Sequence, residues 1–404
     1  MQMHTKTIVL LSTALSMGLT ASANANYKLG SYISQNGAEL TPSFIIGASH
    51  DDNFYKTPNN EESRLIWKVA PSLSSLLVDG PDTYQFDIAT VTSLHNKDSL
   101  DNHTDIILST DIHKEFTSKH RLDVSAYADW LYEDRGTGLT EGLGDSVTEL
   151  VKYRQQNINV DYEFGAQSSK AQLSLSAGYY NKQYANFENV SKYRDFDKVL
   201  LGITGYYNTQ STSRFFVEFK GENYRYDHIQ FSGVSRDSDD IKLLVGMEWE
   251  ASALTSGTFK LGYQNKDFKS SQRENFDGLS WQADLVWHPL TYSSVSFTTA
   301  NAAKDPLVQG DYIEETLYGV TWEHQWNHFI GTFASLNYSK EQYSGGIKRK
   351  DTIKSSRLGL NYHTGNYGFL STYIDYTDQT STQNNLIYDS LIIGVDFTLG
   401  LKAN

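Results

Sequence analysis

The sequence of 404 residues has no cysteine and only 6 prolines, and its mature part has no long apolar run. The absence of cysteine excludes both a disulfide scaffold and a lipid-anchored N-terminal cysteine. No segment beyond the first 25 residues approaches the ~18 consecutive apolar residues of a membrane-spanning helix. Positive charge is also scarce, and the net charge of −14 argues against a nucleic-acid partner, whose phosphates require a basic surface.

The N-terminus has the pattern of a secretory signal peptide. Lys6 supplies a positive charge, an apolar stretch follows from Ile8 to Leu19, and Ala23 and Ala25 form an A-x-A cleavage site. The alternative is an uncleaved membrane anchor, but the apolar part is about a dozen residues, which is shorter than the roughly 20 that span a bilayer as a helix. We expect cleavage after Ala25 and transport out of the cytoplasm.

Aromatic residues are abundant, with 27 tyrosines and 7 tryptophans, and apolar residues alternate with polar ones over long segments. In "VDYEFGA", Val160, Tyr162 and Phe164 share one face of an extended chain, and Asp161 and Glu163 share the other. The same alternation recurs in "DIKLLVGMEWE" and "YDSLIIGVDFTLG". A period of two indicates β-strands that have one apolar face.

Short and long connections alternate between these segments along the whole chain. Short turns such as "VDGPD" and "TSK" are separated by long polar loops such as 134–150, 185–193 and 302–311. This pattern predicts an all-β protein, a transmembrane antiparallel up-and-down β-barrel of about eighteen strands, with 16 possible. Its turns would be periplasmic and its loops extracellular. A β-propeller or a soluble sandwich is the structural alternative, but propeller blades use four short strands, and the segments here are long.

The predicted organisation has three parts: a signal peptide over 1–25, a short periplasmic segment over 26–38 and the barrel over 39–404. In the last strand, Gly394, Phe397 and Leu399 fit a glycine–x–x–aromatic–x–hydrophobic pattern. This pattern resembles the C-terminal signal that the outer-membrane barrel assembly machinery reads. We therefore expect that machinery and outer-membrane lipid as partners, in a Gram-negative bacterium.

The stretch "GASHDDNFY" places Asp51, Asp52 and Asn53 in a row at the predicted outer end of the first strand. Clustered carboxylate and amide oxygens at a loop can bind calcium. However, adjacent residues of an extended chain point to opposite sides, and no bidentate partner stands at a fixed spacing. A polar strand end is the main interpretation, with a calcium-assisted rim and rim contacts to sugar as alternatives. No metal or cofactor is predicted.

Four stretches, 47–55, 120–138, 161–208 and 287–306, resemble the beta-barrel porin type 2 family, and the resemblance spans nearly the whole mature chain. Members of that family accompany exopolysaccharide and capsule gene clusters. The resemblance implies a barrel of about eighteen strands and a role in moving or exporting a surface polysaccharide. It also implies a periplasmic polysaccharide export protein as a partner. This functional link rests on the family's genetic context and not on individual residues.

The polar faces of the predicted strands carry tyrosines interleaved with charges of both signs. The candidates for contact with sugar are Tyr127, Asp129, Tyr180, Lys182, Tyr184, Arg194 and Tyr224. Tyrosine faces could stack on sugar rings, and charged groups could bind hydroxyls, because an aromatic ring has an apolar face and tyrosine a polar tip. Alternatively, these charges pair with one another and stiffen the wall, since polar interiors are usual in such barrels.

Residues 180–194 are predicted to run up the lumen wall, over a short loop and into the next strand. Tyr180, Lys182 and Tyr184 would alternate inward, and Arg194 would re-enter beside them on the descending strand. Two tyrosine faces and two cations could then grip a sugar near the outer mouth, an acidic sugar in particular.

An enzyme is the hypothesis from a different class. The sequence has no G-x-S-x-G elbow, and its 11 histidines form no H-E-x-x-H pair. We therefore predict a porin-like outer-membrane protein, not an enzyme, that passes or exports a surface polysaccharide through an aqueous lumen. The alternative is a general or small-oligosaccharide diffusion porin without an export role.

Overall fold

A closed β-barrel of eighteen long strands, preceded by one short strand, makes up the computed structural model of this chain. The structure describes residues 29–209, 212–229, 233–252, 254–365 and 367–402. The predicted signal peptide and its cleavage site after Ala25 lie outside these residues.

The strands are β1 (Tyr32–Ile33), β2 (Glu39–Asp51), β3 (Arg64–Asp79), β4 (Asp82–His95), β5 (His103–Thr117), β6 (His120–Glu133), β7 (Val151–Phe164), β8 (Ala171–Tyr184), β9 (Phe196–Asn208), β10 (Ser213–Tyr226), β11 (Ser238–Ser252), β12 (Thr255–Phe268), β13 (Phe276–Leu290), β14 (Ser293–Lys304), β15 (Ile313–Gln325), β16 (Ile330–Tyr343), β17 (Lys350–His363), β18 (Gly368–Ser381) and β19 (Tyr388–Gly400). Helical structure in the described residues consists of the single-turn α-helix Glu188–Ser191 and four 3-10 turns, Ser99–Asp101, Gly138–Thr140, Lys192–Arg194 and Asn384–Leu386.

Every strand from β2 to β19 pairs antiparallel with its neighbours in sequence, and β19 returns to pair with β2. The closing seam runs from Ile392 opposite Asp51 to Gly400 opposite Ser43. Closure removes free sheet edges, which are otherwise templates for pairing with another chain. The predicted up-and-down barrel of about eighteen strands is confirmed.

Connections at one end of the barrel are short, and those at the other end are long, as predicted. Asp79 and Asp82 face each other across a two-residue turn in which Gly80 has φ +62°, a conformation that glycine adopts without strain. At this end β1 pairs with the start of β2, and Gly30 bridges to Leu401. The described part of the N-terminal segment therefore lies at the short-turn end, which in transmembrane barrels is usually the periplasmic end.

The outer surface is apolar and the inner surface polar, because alternate residues of each strand meet lipid and lumen. On β9, Leu201 and Ile203 are exposed on the outside, whereas Thr204 is 6% exposed and points inward. Exposed Trp67 and Trp130 lie toward the loop end, and exposed Trp287 and Trp326 toward the turn end. This arrangement gives the aromatic girdles of a membrane barrel.

No helix in the described part of the chain combines the length and the apolarity that a bilayer crossing requires.

Candidate functional site in the outer half of the lumen

Six of the seven predicted contact residues lie on the inner wall of the barrel. Tyr127 and Asp129 lie on β6, Tyr180, Lys182 and Tyr184 on β8, and Tyr224 on β10. Their outward neighbours identify the facing, since Trp130 and Tyr179 are exposed, while Asp129 and Tyr184 are buried. All six lie in the half of the barrel that is nearer to the long loops, or close to its middle.

Two of these tyrosines are held by hydrogen bonds along the wall. The Tyr180 hydroxyl donates to Oε1 of Gln155 at 3.1 Å, and Nε2 of Gln155 donates to Oδ2 of Asp129 at 2.9 Å. The Tyr184 hydroxyl donates to Oε1 of Glu133 at 3.2 Å. These bonds fix the hydroxyls on the wall and leave ring surface for packing.

The tyrosines belong to a longer aromatic belt that crosses strands β7 to β10. We define the aromatic belt as Tyr153, Tyr180, Tyr184, Phe196, Tyr224 and Tyr226. Ring centroids are 5.8 Å apart between Tyr153 and Tyr184, and 5.4 Å apart between Tyr180 and Phe196. Phe196 also stacks on both Tyr224 and Tyr226, at 5.9 and 5.2 Å. The belt is therefore a nearly continuous aromatic strip around part of the lumen wall.

Three lysines lie over the rings of the belt. Nζ of Lys182 is 4.1 Å from the Tyr153 centroid and 4.7 Å from that of Tyr184. Nζ of Lys266 is 3.9 Å from the Tyr224 centroid, and Lys198 lies between the rings of two strands. Such cation–π contacts are favourable, more so where water is excluded.

The sequence alone did not identify Tyr153 and Phe196 as members of the belt, or Lys198 as one of its cations. The signal that could have found them is register. Tyr153 pairs directly with Tyr184, and Phe196 pairs with Tyr226, so these residues share the inner face of adjacent strands. Recognising this requires the pairing of neighbouring strands, which alternation within one strand does not give.

Arg194 does not lie where the sequence predicted. It ends the 3-10 turn Lys192–Arg194, and β9 begins only at Phe196, so the expected place on the descending strand beside Tyr180 and Lys182 is wrong. Two consecutive helical turns shorten the loop and turn Arg194 toward the mouth. There its guanidinium donates to the carbonyl oxygens of residues 307 and 308, the latter at 2.7 Å.

The loop 134–150 folds across the mouth of the barrel. At its base, Nε of Arg135 lies 2.6 Å from Oδ1 of Asp101, and Nη2 lies 2.9 Å from Oδ2 of Asp98. At its tip, Glu141 forms an ion pair with Arg349, which precedes β17. The loop thus spans from β6 to the sector of β17 and narrows the opening.

A second loop, 305–311, enters the mouth from the other side. Arg236 donates to the Pro306 carbonyl oxygen at 2.7 Å, and Arg273 pairs with Asp311 at 2.7 Å. Nε2 of Gln383 donates to Gln309 at 3.1 Å, which ties this loop to the connection before β19. Both loops therefore reach over the outer opening to contact connections of other strands.

The predicted rim residues connect β2 to β19, the first and last long strands of the barrel. Nδ2 of Asn53 donates to the Asp389 carbonyl oxygen at 2.8 Å, and Asp52 accepts a hydrogen bond at 2.7 Å from the backbone of β19. Asp51 pairs with Lys56 at 2.8 Å. These contacts hold the outer end of β2 against β19. In the described ranges, no group of three or more histidine and acidic residues is placed to hold a metal ion.

The residues of the predicted assembly signal lie in β19. Gly394 faces the lumen under the ring of Tyr373, where an added Cβ would come within 2.2 Å of Cζ. Phe397 and Leu399 alternate with buried Thr398 and therefore face outward.

Comparison with protein families decides the family of this chain. A family model described as "Putative beta-barrel porin 2" matches residues 23–400. The chain belongs to this family. The match confirms the resemblance inferred from the sequence, and it covers the complete barrel described above. A search of curated proteins found no match.

Several solved structures have a fold similar to that of this chain. OccK2 (OpdF) of Pseudomonas aeruginosa has a TM-score of 0.50 at 11% identity, covering 92% of this chain and 100% of that one. OccK2 in complex with glucuronate gives 0.51 at 10% identity, covering 90% and 98%. The FrpB iron transporter of Neisseria meningitidis gives 0.46 at 10% identity, covering 86% of this chain, which spans only 64% of FrpB. Family and fold indicate an outer-membrane porin-like barrel and a transport channel rather than an enzyme.

Proposed function

We propose that this porin-family barrel passes a surface polysaccharide through its lumen, as an export channel of the outer membrane. The observation that carries the proposal is the aromatic belt on the lumen wall, with lysines over its rings. The belt, together with Lys182 and Lys198, lies on the face where a solute moving along the barrel would touch it. Lys266 is only 1% exposed and pairs with Asp305, so it supports the Tyr224 ring from within the wall.

The chemistry of the belt suits a saccharide. A pyranose ring has apolar C–H faces that pack on aromatic rings, and its hydroxyls take hydrogen bonds from charged and polar groups beside them. Lys182 and Glu133 lie 3.5 Å apart next to Tyr184, so they offer a donor and an acceptor beside one ring. Several similar rings in a row would let a chain move from one contact to the next without a single tight site.

A likeness of fold and the family's genetic context add support. OccK2, a barrel of similar fold, has been solved with glucuronate, which is an acidic sugar. Export would further require a periplasmic polysaccharide export protein at the short-turn end. We also propose that the signal peptide is removed after Ala25, and that the assembly machinery reads the β19 pattern of Gly394, Phe397 and Leu399.

A small-oligosaccharide diffusion porin is the second candidate. The covered mouth favours it, because loops 134–150 and 305–311 leave less room for a thick polymer than an open lumen would. Under this alternative the same belt would conduct short sugars inward, with no partner at the periplasmic end.

The two functions are separated by a paired experiment. Secreted polysaccharide per cell is measured in a strain that lacks the gene, with and without the wild-type protein. In parallel, liposomes that contain the purified barrel are tested for swelling in maltooligosaccharides of increasing length. Loss of secretion without the gene supports export. Normal secretion together with rapid uptake of short sugars supports the diffusion porin. Normal secretion and no sugar permeation would contradict both.

A further inference from the structure

Three buried arginines meet at the outer mouth of the barrel, above the aromatic belt. Arg194 comes from the connection before β9, Arg236 from the connection before β11, and Arg273 from the connection before β13. Their exposures are 6, 4 and 9%, so all three are nearly removed from solvent. We call them the arginine trio.

The arginine trio has few acidic partners. Arg273 pairs with Asp311, but in the described part of the chain neither Arg194 nor Arg236 forms an ion pair. Arg194 binds the carbonyl oxygens of residues 307 and 308, and Arg236 binds that of Pro306. Two buried guanidiniums are therefore satisfied by neutral acceptors, although hydrogen bonds to an anion are roughly twice as strong.

The close approach of like charges within the trio also favours the binding of an anion. Burial, followed by the nearby charge of Arg236, lowers the pKa of Arg194 to about 10. Burial and Arg236 also lower the pKa of Arg273. Like charges are thus held close together in a site of low solvent access, and a bound anion would relieve their repulsion.

A cavity beside the trio has room for such an anion. Its volume is about 270 Å³, and Arg236, Arg273 and Gln272 line it together with the backbone of Gly310 and Gly345. Asp311, which pairs with Arg273, also lines the cavity, whereas Arg194 lies outside its lining. Guanidinium groups present several N–H donors in a plane, which matches the two oxygens of a carboxylate. Gln272 adds an uncharged donor that would suit a sugar hydroxyl.

We infer that the arginine trio is a binding site for the carboxylate of an acidic sugar. The anion takes the N–H donors now held by the carbonyl oxygens of loop 305–311, and its binding releases that loop from the mouth. This inference rests on the proposed function in one respect, because the anion is carried by the saccharide that passes. It adds the substrate class, a saccharide with carboxylate groups, and the place of first contact.

The binding test uses the complete purified barrel in planar bilayers. Trigalacturonate is the acidic probe and maltotriose the neutral probe, each added on the side of the long loops. Current blockade is recorded over a range of concentrations. The double variant Arg236→Gln/Arg273→Gln should raise the half-blocking concentration of trigalacturonate by about tenfold or more and leave that of maltotriose unchanged, because glutamine keeps polarity but loses the charge-assisted bonds.

The matched control is Arg225→Gln, since Arg225 lies near the same end of the barrel but is 51% exposed, and its inner-face neighbours are Tyr224 and Tyr226. It should leave both probes unaffected. If the glutamine double variant does not assemble, Arg236→Lys/Arg273→Lys replaces it, and its half-blocking concentration should lie above that of the wild type. An unchanged response of the assembled variant to trigalacturonate overturns the site, while blockade by maltotriose would leave the proposed function standing. A wild-type barrel that neither probe blocks overturns both.

Release of the loop is measured separately. Because the chain has no cysteine, Val308→Cys introduces a unique thiol. Its rate of reaction with a charged maleimide should rise several-fold when trigalacturonate is added, and this rise should disappear in the Arg194→Gln background. A labelling rate that ignores trigalacturonate would refute the release of loop 305–311.

Discussion

Glu141 and Arg349 form a two-bond ion pair that crosses the outer mouth of the barrel. Nη1 of Arg349 donates to Oε2 of Glu141 at 3.0 Å, and Nη2 donates to Oε1. Along the shorter way round the sheet, six strands separate β6, which precedes Glu141, from β17, which follows Arg349. Arg349 is only 3% exposed and also binds Asp351, which fixes its guanidinium toward the mouth. This pair fastens the loop 134–150 in its inward position.

Removing the charge of Glu141 should loosen that loop. Glu141→Gln keeps the shape of the side chain but weakens a charge-assisted pair, at a cost of about 1–3 kcal/mol. We expect more frequent and longer transitions to a higher conductance in single-channel recordings. Asp145→Asn is the control, because Asp145 is exposed in the same loop. Identical gating in the two variants would show that the pair does not hold the loop.

The aromatic belt should be needed for sugar and not for the barrel itself. Tyr180→Ala/Tyr184→Ala removes two rings, and we expect lower polysaccharide secretion or weaker sugar blockade at matched abundance in the outer membrane, because the stacking surface is lost. Tyr179→Ala removes an outward-facing tyrosine, 43% exposed, from the same strand and should be neutral for sugar. Equal sugar responses in the two variants would show that the belt has a structural role only and does not contact sugar.

Leu201→Arg should harm assembly more than Thr204→Arg. Leu201 is 63% exposed on the outside, where arginine near the bilayer midplane costs roughly 2–4 kcal/mol. Thr204 points into the lumen, where the guanidinium can reach water and acidic side chains. Folded barrel is quantified by its heat-modifiable mobility in gels of outer-membrane fractions. Equal folded fractions would reverse the assignment of the two faces.

Gly262 should tolerate no side chain. A Cβ at this position would lie 1.9 Å from the Leu243 carbonyl oxygen, which belongs to the neighbouring strand and cannot rotate away. Gly262→Ala should therefore lower the melting temperature of the folded barrel, by an overpacking cost of about 1–3 kcal/mol. Gly221→Ala is the control, because no atom lies within 4 Å of its added Cβ. Equal melting temperatures for the two variants would contradict this prediction.

The barrel could be predicted from the sequence because every strand meets two different environments. Alternation in segments such as 160–164 indicates which side chains face lipid. The lengths of the connections indicate which end of the barrel faces the periplasm. The limits of each strand are less well defined by the sequence, because neither environment imposes a pattern at strand ends.

The covered mouth could not be predicted, since its contacts join distant segments that carry no periodicity. Glu141 and Arg349 are 208 positions apart in sequence, and nothing near either residue marks the other as its partner. The misplacement of Arg194 has a similar cause, because its partners are backbone carbonyl oxygens, which every sequence supplies. Tyr180 and Tyr184 could be found from alternation within one strand, whereas Phe196 required the register between two strands.

The rim contacts of Asn53 determine how late the barrel can be completed. Asn53 and Asp389 are separated by 336 positions, so the first long strand cannot obtain its last partner until almost the whole chain has been delivered. Contacts of such sequence separation carry a large entropic cost and form slowly. Until then β2 and the growing end of the sheet remain unpaired edges that invite aggregation. A chain that lacked β19 could not close the barrel. It would remain an open sheet with two unpaired edges, β2 and β18, and we expect it to aggregate or to be degraded in the periplasm.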